Sequence, residues 1–399
     1  MSNPSVLSHS VARPVLLIIG ILLIATTLRA PISGIAPLLD TIKHSFTLST
    51  TNVSMLITLP LLAFAFISPF AARISREYGI ERTLFIALCV TAIGIAVRST
   101  GSEWNLYLGT LVIGSGIAII NVLLPSLIKR DFPAKVTILT AFYALSMGAM
   151  AALSSAIVVP LSQASHFGWR FATGIFILLP IISAIVWLPQ LRSHTVMAPN
   201  ALNSADSNKV WHSALAWQVT LFFGINSFIN YVAISWLPDI LQDAGYTAAQ
   251  AGSLHGLLQL SGALPVLFVI PFIARLKDQR VPAFLSTLVT IAGLLGLLFA
   301  PTAATLWVIL LGIGTGMSMV LSLSFVGLRS ANAHQAAALS GMVQCVGYLL
   351  SAAGPPLMGK LHEISHNWHL SLGLCLAFCV VMAIVGWLAG RARRISDVP

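Results

Sequence analysis

Twelve apolar runs, each long enough to cross a bilayer, dominate this chain. They lie at roughly 15–38, 52–72, 83–100, 105–128, 136–160, 169–189, 214–238, 248–273, 281–300, 304–328, 335–359 and 368–390. Runs of about 18 or more apolar residues read as membrane spans. Hydrocarbon offers the backbone no hydrogen-bond partners, so each run must be a helix that satisfies its own amides. Only 8% of the residues are charged and 57% are hydrophobic, against about 25% charged in a soluble domain. The expected fold is an all-α polytopic membrane protein of twelve transmembrane helices.

The net charge of +10 could suggest a nucleic-acid or acidic partner, but its distribution excludes that reading. With the N-terminus placed inside, sixteen of the 21 Lys and Arg fall in inner loops. Four fall outside (Lys43, Arg98, Arg170 and Lys360), and Arg29 lies within the membrane. This is the positive-inside bias, which puts both termini in the cytoplasm. The first apolar run is too long for a signal-peptide core and has no small-residue cleavage pattern. The four cysteines, Cys89, Cys345, Cys375 and Cys379, all sit inside spans and read as buried packing.

The chain repeats itself at an offset near 200. LRAPISGIAPLLDT (28–41) aligns with INYVAISWLPDILQ (229–242), placing Arg29 over Asn230 and Pro37 over Pro238. SPFAARIS (68–75) aligns with IPFIARLK (270–277), and IGSGIAI (113–119) with IGTGMSM (313–319). Residues 1–189 and 214–399 therefore read as two six-helix bundles related by a pseudo-twofold axis. The polar stretch 190–213 reads as a cytoplasmic linker. Gly114, Gly116, Gly314 and Gly316 lie inside apolar helices, where small residues permit close helix contact. They are not a nucleotide loop, which would follow a strand.

Twelve spans in two parallel halves is the plan of the major facilitator superfamily, with substrate bound at the midplane between the halves. The superfamily's loop motif after the second helix is degenerate here. ARISREYGIERT (72–83) keeps Gly79 but has Arg76 where an acidic residue is usual. TLRAPISGIAPLL, GIAIINVLLPSLIKRDFP (116–133), AGSLHGLLQL (251–260) and HQAAALSGMVQCVGYLLSAAGPPLMGKLH (334–362) resemble the cyanate/2-nitroimidazole permease (CynX/NimT) family. The resemblance implies an inner-membrane carrier, without cofactor, for small anions or small heteroaromatic compounds.

Arg29 carries the strongest chemical signal. It lies about 4 Å past the middle of the first run at 1.5 Å per residue, and none of the eleven Asp and Glu falls near the centre of a span. A charge at this depth costs about 2.5–3.5 kcal/mol on insertion scales and ordinarily faces a cavity where it works. Its natural partner is then the substrate, whose flat oxygens suit the planar guanidinium fork. The bland alternative is an arginine satisfied by backbone carbonyls at the Pro31 break.

Neutral polar residues at similar depth complete the expected substrate site. Asn226 and Asn230 are four apart in the seventh run, hence on one helix face, with Tyr231 adjacent. His255 and Gln259 share that spacing in the eighth, and Gln344 and Tyr348 in the eleventh. Asn121 and Tyr143 lie in the fourth and fifth. Each has a bland reading as an interhelical hydrogen bond, and Trp236 reads equally as a cavity wall or an interfacial tryptophan. His255 is the one site residue titrating near neutrality.

These observations favour a monomeric secondary transporter in the bacterial inner membrane, contacting lipid and working by alternating access. It binds a small-molecule substrate, with or without a coupled proton or counter-ion, and no nucleic acid or metal. Export of toxic nitroimidazole-type compounds (efflux, antibiotic resistance) is preferred to import of cyanate or another small anion. A polytopic membrane enzyme is the remote alternative. The His362, Glu363, His366 and His369 group would be its metal-like centre.

Overall fold

The computed structural model describes residues 12–132, 135–192, 210–265, 267–268, 276, 278–331 and 333–395. These residues form twelve antiparallel rods. Thr50–Tyr78, Ile80–Arg98, Glu103–Asp131, Val136–Ala164, Ala214–Asp243, Arg280–Phe299, Ala304–Leu328 and His369–Ala389 are long unbroken helices. Ten rods are long and apolar enough to cross a membrane. The other two are Ala248–Ala263, whose described helix is only 16 residues long, and Ala333–Ser365, whose mean hydropathy is lowered by polar residues such as Gln335, Gln344 and His362. The end of the eighth run from 269, including most of IPFIARLK, lies outside the described residues, as does most of the 190–213 linker.

The first rod is the irregular one. Helix Ala12–Thr27 stops, Ala30–Ser33 makes one turn, Ala36–Leu38 is a 3-10 turn, and Leu39–Phe46 resumes. Pro31, in the first turn of the short helix, lacks the N–H that would bond back to the preceding turn, and its ring crowds the carbonyl there. Gly34 and Pro37 follow at once. The seventh rod runs unbroken from Ala214 to Asp243, because Val232 and Ser235 occupy the places of Pro31 and Gly34 and only Pro238 recurs.

Each half is clasped at the end bearing the termini, here called the proximal face. In the first half, Arg130 Nη2 donates to Glu81 Oε1 at 2.7 Å and Arg130 Nε to Asp131 Oδ1 at 2.6 Å. In the second, Arg329 donates to Gln279 Oε1, to Ala389 O at 2.8 Å and to Gly390 O at 3.0 Å. Each arginine lies at the end of the fourth rod of its half. Gly79 joins the second and third rods with a φ of 84°, a left-handed conformation that glycine adopts without Cβ strain. A side chain at Gly114 would strike Pro60, and one at Gly314 would strike Thr290, so these glycines permit close helix packing.

The opposite, distal face is where the halves lock together. Thr51 donates from N–H and Oγ1 to the two oxygens of Glu363, at 3.0 and 3.2 Å. Nearer the middle, Thr58 Oγ1 donates to Ala352 O at 3.1 Å and Phe64 meets Tyr348 edge-on at 5.5 Å. On the other flank, a Cβ at Gly252 would lie 2.8 Å from Ser155 O, and one at Gly256 would lie 2.6 Å from Ala152 O.

Candidate substrate site

Arg29 sits at the break in the first rod, as the residue that begins the Ala30–Ser33 turn. Its own carbonyl accepts from Ile32 and Ser33 N–H, which aims the side chain away from the helix axis and between the halves. Nη1 donates to Tyr231 Oη at 3.3 Å, with the guanidinium carbon 5.8 Å from the Tyr231 ring centre. Tyr143 and Tyr348 also lie within electrostatic reach of Arg29. Among the described residues Arg29 makes no salt bridge. One arginine and three tyrosines, from the first, fifth, seventh and eleventh rods, thus converge from both halves. Tyr231 Oη accepts from Arg29, leaving its own hydrogen to donate.

The surrounding shell is ordered. Tyr143 Oη donates to Asn121 Oδ1 at 3.4 Å. Tyr348 is held between Phe64 and Phe223, at 5.5 and 5.6 Å. Arg29, Asn121, Tyr143, Asn230, Gln259, Gln344 and Tyr348 keep accessible surface, whereas Asn226, Tyr231 and His255 are buried.

Not every expected residue gathers at Arg29. Asn226 turns away, donating to Thr315 O at 3.1 Å within the second half. Gln344 donates to Ser340 of its own helix at 3.1 Å. His255 is 0% exposed, with Nδ1 3.0 Å from Ser155 Oγ, and Ser155 in turn donates to Ser33 O at 3.2 Å. Gln259 donates to Ser33 Oγ at 2.9 Å. His255 and Gln259 therefore tie the broken first rod to the second half, rather than line up beside Arg29. Trp236 is neither a wall at Arg29 nor an interfacial residue. It is 2% exposed, near the distal end, and donates to Pro355 O at 2.9 Å. His362 stacks on Trp368 at 4.1 Å and Glu363 is engaged by Thr51. Among the described residues no group of three His, Cys, Asp or Glu is placed to hold a metal.

Two charged residues at the ends of apolar runs are covered in the fold, and one of them departs from its expected place. Arg98, counted as an outer-loop charge, is 1% exposed. Its Nη1 donates to Pro31 O at 2.7 Å, so the arginine satisfying a carbonyl at the Pro31 break is Arg98, not Arg29. Its Nε and Nη2 are buried without a partner. Asp239, placed at a span's end by hydropathy, lies within the seventh helix with Oδ2 buried and unpartnered. Neither residue stands out in sequence, because both sit where an apolar run meets its loop.

Twelve membrane-spanning rods in two halves, with an uncompensated cation at their junction, define a polytopic carrier. The Major Facilitator Superfamily family model matches residues 16–352, and the chain belongs to that superfamily of membrane transporters. It is 52% identical over 381 residues to the 2-nitroimidazole transporter of Escherichia coli (strain K12), covering 96% of this chain and 97% of that one. It is 24% identical over 367 residues to the cyanate transport protein CynX of the same organism, covering 92% and 94%. Among solved structures, a bacterial homologue of the human lysosomal transporter Spinster, inward-facing and unoccupied, superposes with a TM-score of 0.75. That pair shares 16% identity and covers 96% of this chain and 98% of the other, a likeness of fold alone.

Proposed function

We propose that this carrier moves a small planar anion or heteroaromatic compound, of the 2-nitroimidazole or cyanate type, with Arg29 as the substrate's counter-charge. The observation that carries the reading is the guanidinium without a carboxylate, ringed by Tyr143, Tyr231 and Tyr348. The planar guanidinium fork and the free hydroxyl hydrogen of Tyr231 offer donors that suit nitro, carboxylate or cyanate acceptors. The aromatic faces suit a flat ring. Asn230 and Asn121 supply neutral contacts around them, while His255, Gln259 and Asn226 support the site from behind.

In this reading residues 1–189 and 214–399 rock as two bundles about the site, joined by the 190–213 linker. The protein is a monomer in the inner membrane, against lipid, with both termini cytoplasmic. Export of a nitroimidazole-type compound is the preferred direction. An inside-negative potential drives an anion outward by about 2.3 kcal/mol per charge per 100 mV, so export of an anion needs no co-ion. The 52% identity to the 2-nitroimidazole transporter supports this substrate class over cyanate.

The test is binding by the purified chain. A thermal-shift series with 2-nitroimidazole, cyanate and small aromatic carboxylates should rank 2-nitroimidazole first. Absence of any shift, together with absence of counterflow in proteoliposomes, would overturn the proposal.

A further inference from the structure

A second polar cavity, distinct from the Arg29 site, lies at the distal face and encloses about 160 Å³. Asp40, Lys43 and Thr50 of the first half form one wall; Trp236, Asp239, Asp243, His362 and Trp368 of the second form the other. The cavity is therefore made by the meeting of the two halves. Its groups are not equally provided for. Trp368 Nε1 donates to Asp243 Oδ2 at 2.8 Å, and Asp40 Oδ1 lies 3.4 Å from His44 Nε2. Glu363, beside the cavity, is engaged by Thr51 and, at 3.4 Å, by Lys360. Asp239 Oδ2 and His362 Nδ1 alone among these groups are buried with no partner.

We propose that this cavity is the carrier's proton site, with Asp239 taking up one proton when the distal ends of the halves close together. Closure sets three carboxylates (Asp40, Asp239 and Asp243) against one ammonium, Lys43, and an imidazole, His362, that is stacked and buried at Nδ1. An ionised carboxylate with one oxygen buried away from any protein donor is costly, and like charges nearby add to the cost. A proton from the distal aqueous phase forms an O–H bond at Oδ2 and removes that charge. The protonated form can also donate, which the carboxylate cannot. Opening rehydrates Asp239 and releases the proton to the same side. His255, the titratable residue that sequence brings forward, has Nδ1 engaged by Ser155 and no exposed surface by which a proton from the distal phase would reach Nε2.

The inference rests on the chain being a two-state carrier, and its test keeps the two apart. Spin labels at Thr41 and Ile364, exposed on opposite halves of the distal face, report closure in the full chain with its four native cysteines replaced by alanine. Pulsed distance measurements in sodium-free nanodiscs across about pH 5–9 should show the short distance dominant at low pH and lost as pH rises. Asp239→Asn, which mimics the protonated side chain, should hold the short distance at every pH. Should that variant fail to insert, Lys43→Gln serves instead: removing the nearby cation raises the carboxyl group's proton affinity, so the midpoint should move to higher pH. A pH response that survives in Asp239→Asn, a midpoint unmoved by Lys43→Gln, or closure that follows added sodium at fixed pH would overturn the proton site. A single distance at every pH, even with 2-nitroimidazole present, would overturn the carrier reading as well. Two populations shifted by 2-nitroimidazole but indifferent to pH would overturn the proton site alone.

Discussion

The first and seventh rods occupy equivalent places in the repeat, yet one is broken and the other is a continuous helix of 30 residues. The difference lies in a few residues. Pro31 and Gly34 in the first rod stand where the seventh has Val232 and Ser235. The break leaves carbonyls without helical donors, and two are taken up from elsewhere: Pro31 O by Arg98 and Ser33 O by Ser155. It also frees Arg29 to point across the interface. The unbroken mate presents Tyr231 to meet it, on a surface fixed by regular helical geometry. One half thus supplies an adaptable charged element, the other a rigid aromatic one. This asymmetry, more than the symmetry of the repeat, makes the site.

Removing the charge is the strongest way to break the comparison. Truncating one partner of a buried charged pair costs about 2–5 kcal/mol, and about 1.4 kcal/mol is tenfold in affinity. Arg29→Ala should therefore weaken 2-nitroimidazole binding by well over tenfold while the purified protein keeps its thermal midpoint. Arg29→Lys should recover part of that, losing most for flat two-acceptor ligands. A midpoint that falls while affinity is retained would return Arg29 to a bracing role.

Tyr231→Phe tests the rigid side. It removes the hydroxyl that accepts from Arg29 at 3.3 Å and that has its own hydrogen to give an anionic substrate, a bond to a charged group worth about 1.5–3 kcal/mol. Binding should weaken by about tenfold, by isothermal calorimetry, with the ring and its packing intact. An unchanged affinity would mean that the tyrosine hydroxyl only screens Arg29.

Much of this was legible in the sequence, and what was not has a physical cause. Twelve spans, the broken first run and Arg29 follow from hydropathy and Pro31, because bilayer thickness and backbone satisfaction leave few alternatives. Tyr231, Tyr143 and Tyr348 were among the expected residues, but their convergence on one guanidinium depends on how the halves dock, which no local pattern encodes. The helical spacing of Asn226 and Asn230 was read correctly as one face, yet the face of Asn226 meets Thr315 in its own bundle. Arg98 and Asp239 escaped because hydropathy marks where a helix leaves the membrane, not whether its last polar residue is covered by a neighbour.

Arg98 sharpens the comparison from beneath the break, because affinity and stability should move separately. A buried guanidinium with two unpartnered nitrogens is a cost to the fold, and replacing buried charge by an apolar group of similar size is often neutral or stabilising. Arg98→Met should leave the thermal midpoint level or raise it. The same change releases Pro31 O and loosens the turn that aims Arg29, so 2-nitroimidazole affinity should fall several-fold. A lower midpoint with unaltered affinity would show that Arg98 serves the fold alone.

The smallest effect belongs to the two asparagines of the unbroken rod, which share a helix face but not a role. Asn226 makes one interhelical hydrogen bond, from Nδ2 to Thr315 O, a kind worth about 0.6 kcal/mol on average in membranes. Its loss should lower the thermal midpoint slightly and leave binding unchanged. Asn230, the repeat mate of Arg29, keeps accessible surface one residue from Tyr231. A single neutral hydrogen bond to substrate contributes about 0.5–1.5 kcal/mol, so Asn230→Ala should weaken binding by about two- to tenfold, less than Arg29→Ala. The two alanine variants, measured side by side for midpoint and affinity, should show opposite profiles. If Asn230→Ala lowers only stability and Asn226→Ala lowers affinity, the seventh rod is turned differently about its axis than the Arg29–Tyr231 contact requires, and the rigid half of the comparison fails.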